Sequence, residues 1–163
     1  MRHYCTDKHR LYIDFGADEG TEVSYEMKIV ARYAVLQTLA YEGIDRDVCL
    51  SLTFCDNAEI QALNLEHRGK DAPTDVLSFP QYETRDAVLE AGDTPVLLGD
   101  IVISLERAAV QAEEVGNTLL REVAFLCIHS TLHLLGYDHE RSGEDEEDMC
   151  RRQREIVGRL EEL

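Results

Sequence analysis

The sequence predicts an α+β domain in which a mixed sheet of about four strands packs with helices around one central, histidine-bearing helix. Three observations lead there. Segments of two-residue and of helical apolar periodicity succeed one another in the order β-α-β-α-β-β-α-α-α, with no internal repeat or linker. The 163 residues, 44% hydrophobic and 30% charged, suit one globular domain over 1–163 with a proper core. The stretch Leu119 to Ile128 (LLREVAFLCI) is apolar around its whole circumference, as a buried helix is.

Each element has its own signal. In residues 10–15, Leu11, Ile13 and Phe15 alternate as in a short strand. From Ser24 to Glu42, the residues Tyr25, Ile29, Tyr33, Leu36 and Ala40 recur at helical spacing up to Gly43, predicting an amphipathic helix with that stripe inward. Val48, Leu50, Leu52 and Phe54 then alternate with Cys49, Ser51, Thr53 and Cys55, a strand whose second face is small. Asp56 and Glu59 have capping-box spacing ahead of a short helix with Ile60 and Leu63. A loop over 68–74 leads to a brief strand over 76–79, closed by Pro80. Residues 81–96 are polar, with glycine and proline, and read as an exposed loop or loose hairpin connection. A strand resumes over 97–103. Ser104 suits the N-cap of a helix with Leu105, Ala108, Ala109, Ala112 and Val115 inward, stopped by Gly116. The histidine helix follows. Ser142 then caps a last helix with Met149, Ile156 and Leu160 inward, and Glu144 to Asp148 form a solvated acidic face near the positive end of its dipole.

Three of the six histidines fall in His129-Ser130-Thr131-Leu132-His133-Leu134-Leu135-Gly136-Tyr137-Asp138-His139, at spacing H-x3-H-x5-H. Successive helical side chains turn by about 100°, so His129 and His133 project one above the other. Gly136 is placed to end the helix in the left-handed region, letting His139 return toward the same point. Neutral imidazole is a good zinc ligand, and three protein ligands with one open position is the arrangement of catalytic zinc. The predicted metal ligands are therefore His129, His133 and His139, with Zn²⁺ as the cofactor. Such a site could serve phosphodiester, peptide or amide hydrolysis, and the metal alone does not choose. Metzincin peptidases share the spacing but carry a glutamate base after the first histidine, where this chain has Ser130.

The histidine segment instead closely resembles the signature of the bacterial YbeY family of endoribonucleases, also called rRNA maturation factors. Two further blocks share the resemblance: Arg68-Gly69-Lys70-Asp71-Ala72-Pro73-Thr74-Asp75-Val76-Leu77-Ser78-Phe79-Pro80 and Leu98-Gly99-Asp100-Ile101-Val102-Ile103-Ser104. The three together span the chain from about residue 57 to the end. The resemblance implies a zincin-like core and a metal-dependent, single-strand-specific endoribonuclease acting in maturation of the 16S rRNA 3′ end and in ribosome quality control. It also implies as partners ribosomal RNA, the small ribosomal subunit and assembly factors such as the GTPase Era.

Read from the residues alone, Arg68 and Lys70 are a solvated pair in a glycine-containing loop. The resemblance assigns Arg68 a functional place, binding phosphate through its planar fork or stabilising the transition state, and Lys70 a weaker substrate-binding role. His129 is expected to act in catalysis as well as ligation. Asp138 reads equally as an orienter of an imidazole and as a turn residue, Glu140 and Asp75 are further proton-shuttle candidates, and Thr74 and Ser78 are potential hydrogen-bond donors to RNA.

The net charge of −17 opposes a nucleic-acid role unless positive charge is concentrated locally. The same acidity would suit a non-catalytic module docking on basic ribosomal proteins, the alternative to a hydrolase. Five scattered cysteines without a C-x-x-C pair argue against a disulfide framework or zinc ribbon, and Cys127 is expected to be a buried thiol. The N-terminal MRHYCTDKHR lacks a signal-peptide core, and no apolar run approaches the roughly 18 residues that span a bilayer, so a cytoplasmic address is expected.

Overall fold

The computed structural model describes residues 10–138 and 142–160. Strand β1 (Leu11–Ala17) joins β2 (Val48–Cys55) in parallel through helix α1 (Tyr25–Tyr41). Strand β4 (Val96–Ser104) lies parallel to β2 on its other side, and β3 (Val76–Pro80) completes the sheet antiparallel to β4. The strand order is β1-β2-β4-β3, the expected mixed sheet of four. Helix α2 (Asn57–Arg68) precedes β3, α3 (Arg85–Glu90) lies between β3 and β4, and α4 (Leu105–Val115), α5 (Leu119–Leu134) and α6 (Gly143–Gly158) follow. No helix among the described residues is long and apolar enough to cross a membrane.

The alternation in β2 behaves as predicted: Val48, Leu50, Leu52 and Phe54 are buried, while Cys49, Ser51 and Thr53 on the other face are half-buried. These large residues meet Ile101 and Ile103 of β4 and Leu126, Ile128 and Leu132 of α5 in the main core. On the opposite sheet face Ile60 of α2 packs with Leu77, Val102 and Cys55 in a smaller cluster. Helix α5 runs through the middle of the protein, against α1, α4, α6 and β3.

Several expectations needed correction. Residues 81–96 are not all loop, because Thr84 caps Ala87 N–H and starts the short α3, which sinks Val88 fully into the core. The inward stripe of α1 is Met27, Val30, Ala31, Tyr33, Ala34, Val35 and Leu39; of the expected stripe Tyr33 is buried and Leu36 packs against the core, whereas Tyr25 is 79% exposed and Ala40 is exposed. The error lies at Tyr25 in the first turn and at Ala40 near the last, since the buried face is set by the packing of α1 on α5 and not by residue size. On α4 only Ala108 and Ala112 are buried, and Val115 is 66% exposed in the last turn. Arg68 ends α2 and does not begin the loop; Gly69 is the left-handed cap that follows it.

Two features place β3 beside the histidine helix. Gln81 N–H donates to Leu98 O (3.0 Å) and Ser104 N–H to Asp75 O (2.9 Å), so the odd-numbered residues of β3 pair with β4. The main-chain groups of Ser78 and the carbonyls of Val76 and Pro80 therefore point away from the sheet. At the third motif, Gly99 has φ +141°, and a Cβ there would lie 2.1 Å from Phe79 O and 3.1 Å from Leu134 Cδ2, so only glycine lets β3, β4 and α5 approach this closely.

Candidate metal centre

Helix α5 starts at Thr118, whose hydroxyl accepts from Arg121 N–H, and carries Glu122 in its first turn. Apolar residues bury most of its circumference, leaving His129 and His133 half-buried on the stripe toward β3. It ends in a Schellman turn: Gly136 N–H donates to His133 O (3.0 Å) and Tyr137 N–H to Leu132 O (3.1 Å). Gly136 has φ +95°, and a Cβ there would lie 2.4 Å from Glu83 O and 2.9 Å from Thr84 Cα. The glycine thus both reverses the chain and seats it against the start of α3.

His129 Nε2 and His133 Nε2 are 3.1 Å apart, with ring centroids at 4.6 Å. Two zinc–nitrogen bonds of 2.0–2.1 Å at a tetrahedral angle require a separation of about 3.3–3.4 Å. The pair therefore fits one small cation, and its donor chemistry suits zinc. His129 Nδ1 lies 3.3 Å from Gln153 Oε1 on α6; a hydrogen on Nδ1 satisfies that contact and turns the Nε2 lone pair into the cavity. His139 and Glu140 lie outside the described residues. Ser130 is fully buried, so its position offers no group to the cavity. Cys127 is buried as expected, is not among the residues lining the cavity, and burial pushes its thiol up to about 12.

The chain between Gly136 and residue 139 is held from behind. Tyr137 Oη donates to Glu42 Oε2 (2.7 Å), and Arg152 Nη1 donates to Glu42 Oε1 (2.8 Å). The Arg152 guanidinium also lies over the Tyr137 ring, 4.5 Å from its centroid. Burial, then the Glu42 hydrogen bond, raises the Tyr137 phenol to about 12. Consecutive residues of α6, Arg152 and Gln153, thus support the turn and the first imidazole.

His129 and His133 open into a cavity of about 710 Å³, which Arg68, Thr74, Asp75, Ser78 and Asp138 also line. Five of the predicted groups besides the histidines are thus brought together. Lys70 is exposed and is not among the residues lining this cavity. The loop after Arg68 is tied down by the buried Asn64, whose Nδ2 donates to Ala72 O (2.9 Å). Asp75 is also engaged: its Oδ1 accepts from Val76 N–H (2.8 Å), and the Gln111 amide donates to Asp75 Oδ2 (3.2 Å) and Glu122 Oε1 (3.1 Å). Burial, then the negative charge of Asp75, raises the Glu122 carboxyl above its ordinary range.

Two groups escaped the sequence reading. His67 lines the cavity next to Arg68 and packs edge-on against Phe79, centroids 4.9 Å apart. Gln153 stands between Met149 and Ile156 on the inward stripe of α6, and a polar residue at such a core position is the signal that could have found it.

A family model described as Endoribonuclease YbeY matches residues 15–161. The protein named Endoribonuclease YbeY from Bacillus cytotoxicus is 43% identical over 150 residues, covering 91% of this chain and 95% of the relative. One of the same name from a Roseiflexus species is 46% identical over 137 residues, covering 84% and 86%. Among solved structures, the solution structure of TM1509 from Thermotoga maritima matches with a TM-score of 0.59 and 29% identity, over 90% of this chain and 86% of that one.

Proposed function

The chain belongs to the endoribonuclease YbeY family, and on that premise we propose that it is a metal-dependent endoribonuclease cutting single-stranded RNA at the α5–β3 cleft. The observation that carries this reading is the convergence of two imidazole nitrogens, 3.1 Å apart, with Arg68 on one cavity. A zinc ion held by His129, His133 and His139 would supply Lewis acidity toward a phosphodiester and an acidified water near neutral pH. His129 and His133 hold that position, and Gln153 keeps His129 in the tautomer with Nε2 facing it. Arg68, at the α2 C-terminus on the other wall, receives the phosphate and offsets the charge that grows on its oxygens. Asp138, which lines the cavity with the histidine pair, orients an imidazole or the attacking water by hydrogen bonding.

The substrate of this proposal is ribosomal RNA, with maturation of the 16S 3′ end as the step, the cytoplasm as the compartment, and the small subunit and the GTPase Era as partners. An acidic protein of net charge −17 depends on such partners for placement, because its own field repels free RNA. A peptidase of the same spacing is not favoured, since buried Ser130 supplies no base. The test is cleavage of a single-stranded RNA by wild type, His129→Ala, His133→Ala and Arg68→Ala, with zinc content measured in each. The histidine variants are expected to lose zinc and activity, while Arg68→Ala keeps zinc and loses at least tenfold in kcat/KM. Equal cleavage by all four proteins would refute the assignment.

A further inference from the structure

The histidine pair does not sit at the end of its cleft. A second cavity, of about 670 Å³, adjoins the first and shares Ser78, His133 and Asp138 with it. The two arms differ in charge. The first holds Arg68 and His67, whereas the described residues lining the second include Gln81, Tyr82 and Glu83 and no lysine or arginine. A phosphate gains nothing in the second arm and meets the Glu83 carboxylate, whereas a neutral, flat group meets neither penalty.

From these features we propose that the second arm is a nucleobase subsite, taking the base of a nucleotide beside the scissile phosphate, with Tyr82 as its stacking platform. The inference rests on the endoribonuclease reading and extends it to the other side of the histidines. Among the described residues, two tyrosines line this arm, and they differ in what they already touch. Tyr137 has its ring covered by Arg152 and its hydroxyl bonded to Glu42. Tyr82 is half-buried, braced on one side by the apolar core and open to the arm on the other. Base–aromatic stacking tolerates any base, so selectivity has to come from edge contacts. Those are supplied by the outward main-chain N–H and C=O of Ser78, the Pro80 carbonyl and the exposed Gln81 amide. The arm is preformed, because Gly136 seats the 83–84 backbone directly against the end of α5.

The test uses the full chain loaded with zinc and single-stranded RNA oligonucleotides, intact or with one abasic nucleotide at each position around the cleavage site. In wild type, one abasic position is expected to raise KM about 5- to 150-fold, the loss of one base stack. Tyr82→Ala is expected to raise KM for intact RNA by a similar factor, to show no further loss with that abasic substrate, and to keep kcat; Tyr82→Phe retains wild-type behaviour. Because the chain has no tryptophan, Tyr82→Trp installs a single reporter whose emission should be quenched by intact RNA but not by the abasic oligonucleotide. The subsite is overturned, with the endoribonuclease reading left standing, if wild type cleaves RNA but Tyr82→Ala handles intact and abasic substrates as wild type does. It is equally overturned if Tyr82→Trp emission ignores bound RNA. Zinc-loaded wild type that cleaves no RNA would overturn both readings.

Discussion

Replacing Arg152 by methionine strands a buried carboxylate behind the metal centre, and the size of the effect can be worked from the contacts. The Glu42 side chain is 2% exposed and accepts from Arg152 Nη1 at 2.8 and 3.0 Å and from Tyr137 Oη at 2.7 Å. Methionine keeps the length and apolar packing of the arginine but removes the charge. Breaking one side of a buried pair costs about 3–5 kcal/mol. Arg152 is 24% exposed, so solvent partly screens the pair and the lower end, about 3 kcal/mol, applies. Arg152 also pairs with Asp148 at 3.0 Å, but an i,i+4 surface pair contributes only about 0.3–0.5 kcal/mol, so the loss belongs to Glu42. At about 2–4 °C per kcal/mol for a chain of this size, Tm is expected to fall by about 6–12 °C. Urea and thermal unfolding of wild type, Arg152→Met, Glu42→Met and the double variant form the measurement. The double variant removes both charges and is expected to recover most of the loss. A single-variant loss under about 1 kcal/mol, or a double variant as unstable as the two singles summed, refutes the reasoning.

Gln153→Leu is expected to leave the fold intact and weaken zinc binding about 10–100-fold in competition with a chromophoric chelator; unchanged affinity means the glutamine does not orient His129. Glu122 has a raised folded-state pKa, so its contribution to stability is complete below the unfolded value near 4.3 and is lost as pH rises through the folded value. Glu122→Gln should accordingly raise the urea midpoint at pH 7 and leave it unchanged at pH 4, and a gain equal at both would contradict this. Burial pushes both Cys55 and Cys127 up to about 12, while Cys150 is exposed. A thiol reagent at pH 8 should label Cys150 promptly, with Cys55 and Cys127 labelled only as fast as the protein unfolds, and peptide mapping reads the difference.

The parts of this protein that were legible in the sequence are those governed by local rules. The period of β2, the caps at Asp56, Ser104 and Ser142, and the glycine turn after His133 are each set by a few neighbouring residues. The convergence of His129 and His133 follows from helix pitch alone. What could not be read depends on partners distant in the chain. The stripe of α1 is decided largely by its packing on α5, and α3 is anchored by Val88, which the distant core buries completely. The same holds in the site: Gln153 reaches His129 only because α6 folds back 24 positions to meet it. His67 becomes a lining group only because β3 passes beside the end of α2.

That return of α6 also decides how the protein tolerates shortening. A fragment ending at residue 142 would hold all three histidines and Arg68, yet it would lack Gln153 behind His129 and Arg152 opposite Glu42. A premature stop there would spare the whole signature motif and still yield a polypeptide whose buried Glu42 has lost its cationic partner and whose His129 has lost its Gln153 contact. Deletion mapping that scores such fragments only by the presence of the motif would misassign where the centre resides, because its rear wall is translated after the motif.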